Sequence, residues 1–197
     1  YKALPTVGFL LYTNGLKMPQ SLAELIVSMK TEKANNGMPK FFTQISYDGQ
    51  PIHDLKRSTV LGKPTSEEVR ATILWAKYNK VPYSVKSTIT MDAFKYMHEA
   101  YLDVNTLTEG INSDYFPTLD YFNENPVDDK FEEYLEDMKL NLKKIATTIV
   151  QKRRKNERVM PFKWFTGNKA SCNAGIDFFA VNVDGNIYAC HGCFYTE

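Results

Sequence analysis

Cysteine is scarce in this sequence: there are three in 197 residues, Cys172, Cys190 and Cys193, all near the C-terminus. An odd, clustered set makes a poor disulfide framework, which favours a reducing, cytoplasmic setting. No apolar run is long enough to cross a bilayer, and the N-terminus has no signal-peptide pattern. Neither sign of charge is in excess. The formal net charge of +1 argues against a membrane surface or a nucleic acid as partner. The basic run at 152–155 is interpreted as a solvated helix end.

The apolar residues form three strand-like runs separated by helical patterns. The runs lie at 7–12, 41–46 and 83–90. The first has no polar alternation, which is typical of a strand buried on both faces. Strands that alternate with helices predict an α/β fold, in which helices cover a parallel sheet. The content of 43% hydrophobic and 24% charged residues is ordinary for one globular core.

Capping patterns and periodicity predict the limits of the other elements. Ser21 with Glu24, and Thr65 with Glu68, form capping boxes that predict the starts of two helices. The remaining predictions are a helix that begins near residue 90, a weak strand at 104–107, an irregular segment at 112–125 and a long helix from about residue 127.

Small and polar residues follow the predicted strands at the point where each strand ends. The first strand ends in Thr13, Asn14 and Gly15, and the second ends in residues 46–49, Ser-Tyr-Asp-Gly. In a parallel α/β sheet, ligands bind beyond the carboxyl ends of the strands, which makes these residues candidates for a ligand site. Asn-Gly and Asp-Gly are also common turn formers, so a purely structural role remains open for each of them.

The cysteines flank a predicted β-hairpin. Strand-forming residues at 176–183 and 186–188 are joined by Asp184-Gly185, which suits a tight turn. The hairpin brings Cys172 near Cys190, and His191 and Cys193 follow directly. Three thiols and an imidazole suit a metal such as zinc, although adjacent side chains in a strand point to opposite faces, which makes His191 the weakest candidate ligand. Three reduced, buried cysteines are the alternative.

This stretch resembles the start of the SPASM domain of radical S-adenosylmethionine (SAM) enzymes. The opening Cys172-x-Ala-Gly and the later Gly185-x-x-x-x-Cys190 look like those of anaerobic sulfatase-maturing enzymes. The resemblance implies that Cys172 and Cys190, with Cys193 as a further candidate, hold an auxiliary iron–sulfur cluster. Cys193 stands where relatives often have an aromatic residue, and the later cysteines of the pattern are absent.

The strand ends resemble the same family. A Thr-Asn-Gly strand end, then Ser-x-Asp-Gly, then His53-Asp54 and Arg57, are similar to the middle of a radical SAM partial barrel. The resemblance implies that Ser46 and Arg57 help to hold the SAM carboxylate. The residues that it places at the cofactor site are Thr13, Asn14, Ser46, Asp48 and Arg57. The alternative for Arg57 is a surface residue that pairs with Asp54.

The resemblance predicts the fold class and the function together. Residues 1–160 are expected to form part of an incomplete, TIM-like radical SAM barrel, and 161–197 the hairpin that begins a SPASM domain. The implied enzyme modifies a peptide or protein by hydrogen-atom abstraction, with SAM and a 4Fe-4S cluster. The family's Cys-x-x-x-Cys-x-x-Cys and Gly-Gly-Glu motifs are absent here, so the chain alone is not expected to cleave SAM. The alternative is a non-catalytic binding module with a structural zinc.

Overall fold

The structure is a computed structural model, and it describes residues 8–35, 37–110, 113–117, 130–160, 180–181 and 186–188. The chain divides into two compact units, Tyr1–Phe165 and Thr166–Glu197. The functional assignment of the two predicted domains stays a prediction.

The first unit is built on a parallel sheet of four strands. The strands occur in chain order: β1 (Phe9–Thr13), β2 (Phe41–Ser46), β3 (Tyr83–Ile89) and β4 (Ser113–Pro117). Ile45 in β2 lies opposite Thr13 on one side and Val85 on the other. The strands therefore end at a common edge, as expected for successive βα units. The predicted α/β class with a parallel sheet is confirmed.

Helices connect the strands. They are α1 (Gln20–Met29), α2 (Ile52–Lys56), α3 (Ser66–Tyr78), α4 (Met97–Thr108), which continues a 3-10 helix at Met91–Tyr96, and α5 (Phe131–Arg154). Within the described ranges, no helix is both long and apolar enough to span a membrane.

The helices cover one face of the sheet. In β3 the side chains of Val85, Ser87 and Ile89 are buried, whereas Lys86 between them is exposed. The buried residues share a core with Ile73 of α3 and other apolar residues of α1, α4 and α5. Alternate residues of a strand point to opposite faces, so the second face of the sheet is more open.

Two predicted elements differ from the structure. Residues 104–107 are not a strand but belong to α4, where Val104 and Leu107 are buried with Met97, Ala100 and Tyr101 at helical spacing. The predicted irregular segment contains β4, whose pairing with β3 extends the sheet. The long helix begins at Phe131, and residues 118–129, which include the predicted start, lie outside the described residues.

The two predicted capping boxes are wrong. Helix α1 begins at Gln20, one residue before Ser21, and its N-cap position, Pro19, makes no side-chain cap. Thr65 does occupy the N-cap position of α3, but its side chain does not cap the helix. Another residue caps α3, as described below.

In the second unit, Ala180–Val181 (β5) pairs with Ile187–Tyr188 (β6) in an antiparallel arrangement. The predicted turn at Asp184-Gly185 lies outside the described residues, and so do Cys172, Cys190, His191 and Cys193. The hairpin as a whole and its metal site therefore stay predictions.

Candidate functional site

The first strand end forms a local turn. The Thr13 hydroxyl oxygen accepts a hydrogen bond from the Gly15 N–H at 3.0 Å, and Asn14 Oδ1 accepts one from the Leu16 N–H at 3.1 Å. Both predicted site residues thus act as turn formers in this structure. They lie at the carboxyl edge of the sheet, beside the end of β2.

The buried carboxylate of Asp48, just beyond the end of β2, forms an ion pair with Arg57. The Asp48 side chain is only 1% exposed, and its Oδ2 lies 2.5 Å from Nε of Arg57. Arg57 Nη2 lies 3.3 Å from the other carboxylate oxygen, Oδ1, which also accepts the Thr88 N–H at 2.9 Å. The structure thus brings two predicted site residues together, and it joins them to the end of β3. Arg57 pairs with Asp48 rather than with Asp54.

The contact with Asp48 leaves part of the Arg57 guanidinium available. Nε and Nη2 form one edge of the planar group, and this edge faces Asp48. The edge formed by Nη1 and Nη2 retains donors, and no described residue accepts a hydrogen bond from Nη1. The Arg57 side chain is 36% exposed. An arginine held along one edge can present the other edge to a second carboxylate.

Ser46 lies on the more open face of the sheet. It is half-buried, and its register partner in β3 is Lys86, which is exposed. Two residues later the chain reaches Asp48. Ser46 and the Asp48–Arg57 pair thus occupy the same strand end, where a ligand of a parallel α/β sheet is expected.

Asp54 caps helix α3. Its Oδ1 accepts the N–H groups of Thr65 and Ser66 at 2.9 and 2.8 Å, and its Oδ2 accepts the Ser66 hydroxyl at 2.6 Å. Burial acts to raise the pKa of Asp54, but the hydrogen bonds from Ser66 and Thr65 outweigh it and lower that pKa. This cap is supplied from 11 residues upstream of Thr65, and the sequence alone gave no local signal for it.

His53, the neighbour of Asp54, is buried between the strand end and α3. Its Nδ1 lies 3.3 Å from the Asp48 N–H nitrogen, and its Nε2 lies 3.2 Å from the Thr65 hydroxyl oxygen. The Thr65 hydroxyl also donates to the Arg57 carbonyl oxygen. Burial lowers the pKa of His53, and Arg57 acts in the same direction, against the opposing effect of Asp48. Burial therefore favours the neutral form of the imidazole.

A second hydrogen-bond network holds the loop that follows β2, at Tyr47 and Gln50. The Tyr47 hydroxyl donates to Asp103 at 2.6 Å, Arg70 pairs with Asp103, and the Gln50 N–H donates to Asp103 at 3.1 Å. Burial of Tyr47 and its bond to Asp103 raise the pKa of the phenol well above its usual range. Sequence analysis did not identify Arg70 or Asp103, and it placed Thr65 only in a capping box. The available signal was a charged residue, Asp103, between the core positions Tyr101 and Val104 of α4.

No group of three or more histidine, cysteine or acidic side chains suited to a metal ion occurs in the described part of the chain. The predicted cysteine ligands lie outside the described residues.

Comparison with known proteins gives a likeness in fold. No family model and no curated relative matches the sequence. Among solved structures, the anaerobic sulfatase-maturing enzyme anSMEcpe with bound AdoMet matches with a TM-score of 0.66 at 20% sequence identity, covering 95% of this chain and 49% of that one.

The same enzyme with AdoMet and a Cp18Cys peptide matches with a TM-score of 0.65 at 20% identity, covering 95% of this chain and 52% of that one. The structure with AdoMet and a Kp18Cys peptide matches with a TM-score of 0.61 at 18% identity, covering 95% of this chain and 51% of that one. The chain spans about half the length of these structures. It therefore shares the fold of a part of a radical SAM enzyme.

Proposed function

We propose that this chain is the part of a radical SAM enzyme that binds the carboxylate of SAM, and that the enzyme modifies a peptide or protein. The observation that carries the proposal is the Asp48–Arg57 pair, which lies at the carboxyl edge of the sheet and leaves one guanidinium edge available. The four-stranded sheet is then the later portion of a partial TIM-like barrel, and the open face on which Ser46 lies is its interior.

The residues present fit an amino-acid carboxylate. The remaining edge of Arg57 offers two parallel N–H donors, the geometry that a carboxylate accepts, and the Ser46 hydroxyl offers one more donor. Asp48 neutralises part of the Arg57 charge, but it also fixes the plane of the guanidinium, so less side-chain entropy is lost on binding. In this proposal Arg57 and Ser46 bind and orient the carboxylate, and Asp48 orients Arg57.

The reaction is proposed from the likeness in fold. SAM held by Arg57 and Ser46 would supply the hydrogen-atom abstraction on the substrate, once the family's cluster had reduced it. The structures of anSMEcpe contain AdoMet and, in two cases, a peptide, which supports a peptide or protein as the substrate class. The part played by this chain's described residues is binding and orientation.

The proposed auxiliary site consists of Cys172 and Cys190, with Cys193 as a further ligand. Iron–sulfur clusters prefer thiolates, whereas zinc accepts a mixture of thiolate and imidazole, so a His191 ligand favours zinc. Analysis of iron, sulfide and zinc in anaerobically purified protein decides between them. Iron with sulfide supports the enzyme, zinc alone supports the binding module, and the absence of both contradicts a metal site.

Titration calorimetry tests the carboxylate site. We expect the chain to bind SAM more tightly than decarboxylated SAM, which keeps the adenosine, the sulfonium and the amine. Arg57→Lys should weaken SAM binding by roughly 1–3 kcal/mol because the two-pronged contact is lost, with little effect on the decarboxylated compound. Arg154→Lys, an exposed position at the end of α5, is the control. Equal affinity for the two ligands would contradict the proposal.

A further inference from the structure

We propose that His53 and Thr65 form a hydrogen-bond relay whose task is to position Arg57. The functional meaning of the relay rests on the proposed function of Arg57, but its existence does not. His53 and Thr65 are positioning residues, since neither lies on the guanidinium edge that is offered to a ligand.

The relay runs in one direction from the main chain of Asp48 to the main chain of Arg57. The Asp48 N–H donates to Nδ1 of His53, so this nitrogen carries no proton. The proton of the neutral ring is then on Nε2, which donates to the Thr65 hydroxyl oxygen. The Thr65 hydroxyl has its own proton left, and this proton is directed to the Arg57 carbonyl oxygen.

The relay closes a ring through the ion pair. Its two ends are the backbones of Asp48 and Arg57, and the side chains of the same two residues meet at 2.5 Å. A further bond, from the Arg57 N–H to the His53 carbonyl oxygen at 2.7 Å, fixes the same stretch of backbone. Hydrogen bonds that run head to tail strengthen one another in a region of low dielectric constant. The origin and the direction of the Arg57 side chain are thus both fixed.

Burial keeps water from replacing the relay. His53 is 1% exposed, Thr65 3% and Asp48 1%. Water therefore has little access to the donors and acceptors of the relay. When one of its hydrogen bonds is lost, no hydrogen bond to water replaces it.

A cap of α3 is not what the Thr65 hydroxyl provides. Asp54 already accepts the Thr65 and Ser66 N–H groups at the start of this helix. The hydroxyl instead faces the Arg57 carbonyl oxygen, eight residues away in the chain. The Asp54 carboxylate thus caps the helix, and the Thr65 hydroxyl serves the relay. Variants that remove this hydroxyl therefore test the relay rather than the cap.

The first test needs no variant. Nitrogen NMR of the ring in the intact chain should show His53 as the neutral tautomer with its proton on Nε2. A proton on Nδ1 would overturn the relay, because Nδ1 would then be unable to accept the Asp48 N–H. Since the measurement uses the unmodified chain, failure of a variant to fold does not affect it.

The second test compares Thr65→Val with Thr65→Ser. Valine has the shape of threonine without the hydroxyl, whereas serine keeps it. In Thr65→Val the exchange of the Arg57 Nε proton with water should become about tenfold faster, the factor expected when one buried hydrogen bond that holds the group is lost. Thr65→Ser should restore slow exchange. Unchanged exchange in a folded Thr65→Val chain would overturn the relay.

Thr108→Val is the matched control. Thr108 is also buried, at 2% exposure, and its hydroxyl also donates to a main-chain carbonyl, that of Val104. This variant should lose stability without any change at Arg57. An equal change in the exchange of the Arg57 Nε proton would mean that general loosening, not the relay, governs it, and would overturn the proposal.

The binding of SAM and of decarboxylated SAM distinguishes a failure of the relay from a failure of the proposed function. If both hold, Thr65→Val lowers the preference for SAM over decarboxylated SAM about tenfold, and Thr65→Ser restores it. If the unmodified chain shows no preference, the SAM site is wrong, and the exchange of the Arg57 Nε proton still decides the relay. A preference that is intact in Thr65→Val, where that exchange is fast, would contradict the role of the relay in binding.

Discussion

A methyl group on Gly49 would place its carbon 2.4 Å from the carbonyl oxygen of Ala100 in α4. Gly49 also has a φ of 84°, in the left-handed region that favours glycine. The loop that contains Asp48 therefore lies directly against the backbone of α4, and this approach helps to define where the Asp48–Arg57 pair forms.

The substitution Gly49→Ala should therefore be severe. We expect a loss of about 3 kcal/mol or more in the free energy of unfolding, since the new methyl group meets rigid backbone in addition to the strained φ. Gly37→Ala is the control, because Gly37 has a φ of 80° but, among the described residues other than its chain neighbours, no atom lies within 4 Å of an added Cβ. It should cost only about 1–2 kcal/mol. Urea denaturation measures both, and equal losses would contradict the close approach of the loop to α4.

Removal of the Asp54 carboxylate should weaken the start of α3. Asp54→Ala should lower the free energy of unfolding by about 1–2 kcal/mol, the usual cost of a lost N-cap. Asp54→Asn should cost less, since its amide oxygen still accepts the Thr65 and Ser66 N–H groups. Chemical denaturation of the two variants checks this order. If Asp54→Ala were neutral, another group would have to cap the helix.

The buried, neutral His53 predicts a loss of stability in mild acid. Because the folded chain holds the pKa of His53 below its ordinary value, the unfolded chain binds more protons as the pH falls below about 6.5. The contribution of His53 to the free energy of unfolding is therefore fully present above this pH. Below it the free energy of unfolding declines, by at most about 1.4 kcal/mol per pH unit for one histidine. The charged groups that face His53 are Asp48, Asp54 and Arg57, of which the two carboxylates oppose the effect of burial.

Histidine variants isolate this contribution. His98 also has a pKa lowered by burial, so the pH dependence of unfolding is compared in His53→Gln and His98→Gln. We expect the slope between pH 6.5 and 5 to be smaller in His53→Gln than in the unmodified chain. If the slope changed in His98→Gln but not in His53→Gln, the pH dependence would come from His98, and its assignment to His53 would be wrong.

Part of this site could be predicted from sequence, because strands and their polar ends are local signals. The runs that became β1, β2 and β3 are marked by apolar residues; Ser46 is the last residue of β2, and Asp48 follows two residues later. The pairing of Asp48 with Arg57 could not be predicted, since it depends on the path of the chain through α2. That helix has only five residues and no useful periodicity.

Other features depend on contacts that are distant in sequence. The pattern at Thr65 fitted a local capping box, in which the Glu68 side chain would accept the Thr65 N–H. The Asp54 carboxylate accepts this N–H instead, together with that of Ser66. The strand Ser113–Pro117 has no apolar alternation, and it is defined by its register with β3 rather than by its own residues. In both cases tertiary structure overrides the local pattern.

The central claim is that Arg57 binds the carboxylate of SAM, and a carboxylate label tests it most directly. SAM labelled with carbon-13 in its carboxyl group is mixed with the chain, and the carbon resonance is followed by NMR. We predict a shift that saturates with the unmodified chain, is strongly reduced with Arg57→Lys and is retained with Arg154→Lys. A shift of the same size with Arg57→Lys, or no shift with the unmodified chain, would contradict the account.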